Sequence, residues 1–197
     1  RTLEGPNWKI AYDGYMDLYH VPILHRDTFG ANMPNQALYY PFGPHQRLTF
    51  PDPNLANLED KPETEWPTTW LLDGVWTIFP HVSIASFGGG GRSVMISQLF
   101  PGKSPGESIT VQNYLMEHEP SEADKAEAHS QFDLLKTVVE EEDYGTGLRQ
   151  QQALQTGTMG DVLFGRNEGG GHRFHTWVDR LLETNDEDLN QLFETGI

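Results

Sequence analysis

The clearest periodicity lies towards the end of the chain. Phe174, Trp177, Val178, Leu181 and Leu182 fall at i, i+3, i+4, i+7 and i+8, which predicts an amphipathic helix with a core-facing stripe. A second helical pattern opens at Ser121, a good N-cap followed by acids in the first turn. There Ala128, Phe132, Leu135 and Val139 recur at threes and fours. The pattern continues, or restarts, through Asp143 to Leu154, with Gly145, Gly147 and Gly157 weakening it locally. Between these helices, Gly165–Gly171 reads as a loop with three consecutive glycines. From Thr69 to Met116 the chain reads as β. Val82–Phe87, Ser93–Phe100 and Ser108–Met116 are strands, the first two joined by a turn at Gly88–Gly91. Trp70–Phe79 is strongly apolar and can begin as a short helix.

The first third is less regular. Residues 1–9 read as a lead-in segment ending in Trp8, an anchor, and residues 10–20 as a helix. Residues 26–36 hold Gly30, Asn32, Pro34 and Asn35 and read as loop. Ala37–Phe42 and Gln46–Phe50 are short strands split by Gly43-Pro44. Residues 51–68 carry four prolines among acidic and polar residues. They predict a surface excursion, either a lid over a pocket or a passive loop.

Bulk properties narrow the class. No internal repeat or second core pattern appears, and 197 residues suit one domain spanning 1–197. A hydrophobic content of 37% fits a globular protein. No apolar run reaches a membrane span, and no basic-then-apolar leader is seen, so the expectation is a cytoplasmic protein. The chain opens at Arg1 without an initiator Met, so a fragment or processed piece is expected. The net charge of −16 argues against nucleic acid, whose phosphates need clustered Lys and Arg. Cysteine is absent, which excludes disulfides, Cys nucleophiles and Cys-based zinc fingers. The four-glycine run lacks the Lys-Ser/Thr of a phosphate loop, and no Gly-x-Ser-x-Gly elbow occurs.

The chemistry concentrates between Asp13 and His25. Asp17 and His20 are three apart, so on a helix they share a face. His20 and His25 are five apart, about 140° around an ideal helix, so a regular helix does not aim both rings at one ion. Pro22 lies between them, and a break there can bring the second ring back to the first. Two imidazoles and one carboxylate form the facial triad that leaves positions open on Fe(II). Elsewhere His172 and His175 are a possible zinc pair without a nearby third ligand, and the other histidines are isolated.

Asn7-Trp8-Lys9 followed by Asp17-x-x-His20-x4-His25 resembles the start of the catalytic domain of the Rieske non-haem iron oxygenase alpha subunits. The resemblance spans nearly the whole chain, and this run is its most specific piece. Phe79-Pro80-His81-Val82 and the strand ending Phe100-Pro101-Gly102 resemble the family's central sheet. The implied fold is α+β of the helix-grip (START/Bet v1-like) type, an antiparallel sheet around a long C-terminal helix. The implied iron ligands are His20, His25 and Asp143. Asp143 is chosen from Glu142-Asp143 and the Gln-rich stretch after it, with Glu142 the nearest rival. Asp17 would link His20 to a Rieske cluster on a neighbouring subunit. Where the family often carries Asn, this sequence has Asp13. The implied activity is O2-dependent hydroxylation of a hydrophobic, aromatic substrate, in aromatic catabolism, with NAD(P)H-derived electrons arriving through a ferredoxin or reductase. A [2Fe–2S] Rieske cluster needs two Cys, so it must sit on a missing or separate domain. A homotrimer is the implied assembly. Two other readings stay open: a metal-free helix-grip carrier of a hydrophobic ligand, and a zinc hydrolase using the same histidines.

Overall fold

The structure is a computed structural model that describes residues 1–51, 53–66, 74–88 and 91–195. Seven strands form one antiparallel sheet: β1 (Thr2–Gly5), β2 (Leu38–Phe42), β3 (His45–Thr49), β4 (Val75–Ile78), β5 (Val82–Phe87), β6 (Ser93–Pro101) and β7 (Ser108–Met116). Their spatial order is β1-β7-β6-β5-β4-β3-β2, so from β2 to β7 each strand pairs with its sequence neighbour. β1 closes the far edge on β7, with Leu3 opposite Thr110. The lead-in segment is thus a strand. Its four residues alternate exposed and buried, a signal too short to separate from a linker.

Turn chemistry sets the hairpins. Phe42 pairs with His45 across Gly43-Pro44. Gly43 adopts φ +58° and the Pro44 ring fixes a negative φ, the requirements of a type II′ turn. Phe87 pairs with Ser93, so the glycine run does join β5 to β6. Trp70–Asp73, the point where a short helix was conceivable, lies outside the described residues. Residues 53–58 and 63–65 form 3₁₀ turns, and residues 59–66 are exposed.

The helices are α1 (Trp8–Asp13), α2 (Val21–Leu24), α3 (Glu122–Thr137), α4 (Tyr144–Gln155), α5 (Gly169–Glu183) and α6 (Leu189–Thr195). Ser121 caps α3 through a full capping box with Asp124. Between α3 and α4 the chain widens into a π turn over Val138–Asp143 without losing its helical course. Gly147 is required in α4, because a Cβ there would stand 2.8 Å from Pro6. α5 begins at Gly169, so the glycine triplet belongs to its first turn rather than to a loop. Close approach explains it: a Cβ on Gly170 would meet the Met16 carbonyl at 2.5 Å. Leu182, assigned to the stripe of α5, is exposed.

The core gathers Leu3, Tyr12, Met16, Leu99, Val139, Tyr144 and Phe174 between the sheet and the helices. Each fully buried side chain of this kind contributes roughly 1.5–3 kcal/mol. This is the α+β helix-grip arrangement expected from the sequence, and it places the π turn over the segment that follows α1. No helix among the described residues is long and apolar enough to cross a membrane.

Candidate metal centre

The expected helix over residues 10–20 stops at Asp13, and Asp17 and His20 leave it. Asn7 starts α1 by accepting from the Lys9 N–H at 2.9 Å, and Gly14 ends it. Two turns follow, and Asp17 Oδ1 accepts from the Tyr19 N–H at 2.6 Å. This side-chain turn substitutes for helical hydrogen bonds. His20 is then the N-cap of α2 and His25 its C-cap. Pro22 sits in the first turn of α2, where a missing N–H costs nothing. It starts a helix here instead of breaking one. The loop after α2 folds back tightly, with the Gly30 N–H donating to the His25 carbonyl at 2.8 Å.

The two rings meet edge to face, with centroids 5.1 Å apart and planes inclined at 74°. Their Nε2 atoms converge on one oxygen. Asp143 Oδ1 lies 3.1 Å from His25 Nε2 and 3.5 Å from His20 Nε2. Donor atoms of all three side chains fall within 4.8 Å of one another. Bonds of about 2.1 Å at right angles put neighbouring donors about 3 Å apart, so the set fits one ion with little rearrangement.

The outer nitrogens are also engaged. His20 Nδ1 stands 3.3 Å from Asp17 Oδ2, and His25 Nδ1 stands 2.5 Å from Glu142 Oε2. Each ring therefore has a carboxylate behind it that fixes its orientation and favours a proton on Nδ1, which makes Nε2 the nitrogen a metal would take. Thr28 Oγ1 donates to the same Glu142 oxygen at 3.2 Å. The His25 side chain is only 3% exposed and stacks on Phe29, with centroids 5.1 Å apart.

Electrostatics follow from this crowding. Burial alone would lower the His20 imidazolium, but hydrogen bonds to Asp143 and Asp17 outweigh it and raise the pKa to about 9. His25 is raised against the same burial by Asp143 and Glu142. Burial would raise Asp143, yet the two histidines hold it below the usual carboxylate range. Asp17 is likewise held low, against burial, by His20 and the Tyr19 N–H.

The π turn explains the neighbours' roles. Consecutive residues Glu142 and Asp143 reach opposite nitrogens of the single His25 ring. Glu142 thus stands at His25 Nδ1, across the ring from Asp143, a contact that sequence reasoning missed. The acidic run was visible, but nothing in it announces the wider turn. His175, weighed as half of a zinc pair, instead donates from Nε2 to Asp13 at 2.9 and 3.2 Å, and His172 is exposed. A cavity of about 230 Å³ opens beside the centre, reached by Asp17, His20, Asp143, Leu24 and Phe164.

Solved structures share this architecture. The quaternary ammonium Rieske monooxygenase CntA in complex with an inhibitor is similar over 91% of this chain and 48% of its own, at 14% identity and a TM-score of 0.63. Naphthalene 1,2-dioxygenase from Rhodococcus sp. bound to indole is similar over 92% of this chain and 55% of its own, at 15% identity and a TM-score of 0.58. The chain thus spans about half the length of these proteins. Comparison with curated protein sequences gives no significant match. The profile of the ring hydroxylating alpha subunit (catalytic domain) family matches residues 2–184. The chain belongs to that family.

Proposed function

We propose that residues 1–197 form the mononuclear-iron catalytic domain of an oxygenase, with Fe(II) held by His20, His25 and Asp143. One observation carries this reading: both Nε2 atoms face a single Asp143 oxygen while both Nδ1 atoms are backed by carboxylates. When bound, ferrous iron supplies the redox chemistry that activates O2 for hydroxylation. The protein's part is to hold three donors on one side, keep a proton on each Nδ1, and leave the remaining positions to small molecules and substrate. Family membership supports the oxygenase class.

The reading extends to partners. This chain has no Cys, so the electrons are taken to arrive through a Rieske [2Fe–2S] centre on another domain, fed by a ferredoxin or reductase. Asp17, still 22% exposed while bonded to His20, is the residue placed to receive a partner across a subunit boundary. A homotrimer would supply that neighbour. The substrate is taken to be hydrophobic, with an aromatic body. Naphthalene 1,2-dioxygenase and a quaternary ammonium monooxygenase share the fold, so the fold does not separate such substrates.

Elemental analysis of anaerobically purified protein tests the assignment. We expect about one iron per chain, lost in His25→Ala. Stoichiometric zinc in its place, or no metal at all, would overturn it.

A further inference from the structure

The cavity beside the metal centre has apolar wall residues, Ile10, Leu24 and Phe164 among them. Besides His20, its ionisable side chains are Tyr144 and the four carboxylates Asp13, Asp17, Asp143 and Glu168. Among the described residues no Lys or Arg joins them. In a chain with 29 acids against 13 Lys and Arg, that sign alone decides nothing. What decides is which carboxylates stay uncompensated once the centre is assembled. Asp143 faces His20 and His25, and Asp17 backs His20. A ferrous ion would bring two positive charges against those two carboxylates. Asp13 and Glu168 take no part in that balance.

Asp13 is built into the wall. It is the last residue of α1, at the helix end that disfavours negative charge. Its side chain is 25% exposed, so the carboxylate is open to a molecule in the cavity. Both oxygens face one donor, His175 Nε2, at 2.9 and 3.2 Å. A carboxylate accepts at about four lone-pair sites, so one N–H leaves most of that capacity unused. Burial holds the Asp13 carboxyl above its ordinary range against the pull of His175 and Lys9, and the charge of Glu168 adds to the rise. Lys9 does not line the cavity and acts only through space.

The surroundings fix the other parts. Glu168 Oε2 accepts from the Gly165 N–H, which ties its carboxylate to the loop before α5. The Phe164 ring lines the same cavity and packs on His175, with centroids 5.3 Å apart. Two carboxylates that repel each other and an aromatic ring thus share one stretch of wall.

We propose that this cavity takes an organic cation, an ammonium head on an apolar body, with the head against Asp13 and Glu168 and beside the Phe164 ring. An ammonium N–H makes a charge-assisted bond to Asp13, and the face of an aromatic ring attracts the same charge. The cation also relieves the repulsion between the two carboxylates. A neutral head gains none of these terms, and an anionic head meets like charge. The shared fold does not fix the charge of the substrate, and these two side chains would. That the cation is the substrate rests on the oxygenase reading. That the cavity binds it does not.

Titration calorimetry on the metal-free and the iron-loaded chain tests this with three probes that share one body and differ in the head: 2-phenylethylamine, 2-phenylethanol and 3-phenylpropionate. We expect saturable binding of the amine, roughly 10- to 100-fold tighter than the alcohol, the range for a hydrogen bond to a charged group. The carboxylate should bind least, and the order should survive iron loading. Asp13→Asn keeps an acceptor for His175 and removes the charge. It should bring the amine close to the alcohol and leave the alcohol unchanged, with Glu168→Gln doing the same to a smaller extent. Equal affinity for amine and alcohol, tighter binding of the carboxylate, no saturable binding of the amine, loss of the preference on iron loading, or a folded Asp13→Asn with undiminished preference would each overturn the proposal. If Asp13→Asn fails to fold, Glu168→Gln and the three probes on the unaltered protein decide. Amine binding by a chain that takes up no iron upholds the cavity and removes the oxygenase. Iron uptake without amine binding does the reverse.

Discussion

His25 is held on three sides, by Glu142, Asp143 and the Phe29 ring. Its carboxylate partner at Nδ1 is therefore testable apart from the ligand itself. Glu142→Gln keeps an acceptor near the ring but removes the charge that supports the Nδ1 proton. Iron affinity should fall by roughly 10–100-fold, the usual effect of losing such a partner, as read by competition with a chelator. Unchanged affinity would mean that Glu142 serves the fold and not the metal. Protons compete at the same atoms. His20 titrates near 9 in the folded, metal-free chain, above its ordinary 6.5. Its imidazolium therefore stabilises the fold fully below about 6.5, and that contribution is lost as pH rises through about 9. At pH 7 metal must displace this proton. Calorimetry in buffers of different ionisation enthalpy should show proton release on iron uptake, fading above pH 9. The run Asp17-x-x-His20-x4-His25 was legible because it is local in sequence. Asp143 was legible only through resemblance, since nothing local pairs it with residues more than a hundred positions earlier. The hydrogen bond from His175 to Asp13 joins α5 to the end of α1 and had no sequence signal at all.

At the scale of elements, α2 and the π turn aim the proposed ligands, and both are too short for periodicity to reveal. Strands β5, β6 and β7 were legible because each is a run of six to nine residues bracketed by turn-forming Gly or Pro, although the buried positions of β7 are the polar Ser108, Thr110 and Gln112. α3 declared itself through its cap. By contrast, β1 has four residues, α2 has four and the π turn six. The start of α5 was hidden because glycine's low helix propensity is overridden there by close packing on the Met16 carbonyl. The clamp on α2 yields a prediction. A Cβ on Gly30 would stand 2.2 Å from the Val21 carbonyl. Backbone cannot yield as a flexible side chain does, so Gly30→Ala must push the loop away from the carbonyl end of α2 and shift His25. We expect a loss of about 1–3 kcal/mol in stability, as for other overpacked sites, together with reduced iron occupancy. Gly160→Ala meets nothing within 4 Å and should leave occupancy unchanged. Full occupancy in Gly30→Ala would show that the clamp does not position the ligand.

At the scale of the whole molecule, the proposed iron site depends on electrons brought from outside these residues. Its 197 residues contain no Cys, so they cannot ligate a Rieske cluster, and they span about half of each solved relative. The iron-loaded chain with NAD(P)H and a reductase should therefore give no hydroxylated product beyond background. Adding the cluster-bearing portion should restore turnover, provided that Asp17 lies on the path. Asp17→Asn separates the two functions of that residue. Its single amide oxygen can take the place of Oδ2 and still accept from His20 Nδ1, while the Tyr19 N–H loses its acceptor; the ring keeps its partner, so iron content should hold. The charge coupling His20 to a partner is lost, so kcat should fall while iron occupancy stays constant. If iron is lost in parallel with activity, Asp17 acts only by positioning His20. If the isolated chain turns over with NAD(P)H, electrons reach the metal without a cluster, and the subunit-crossing role proposed for Asp17 has no basis.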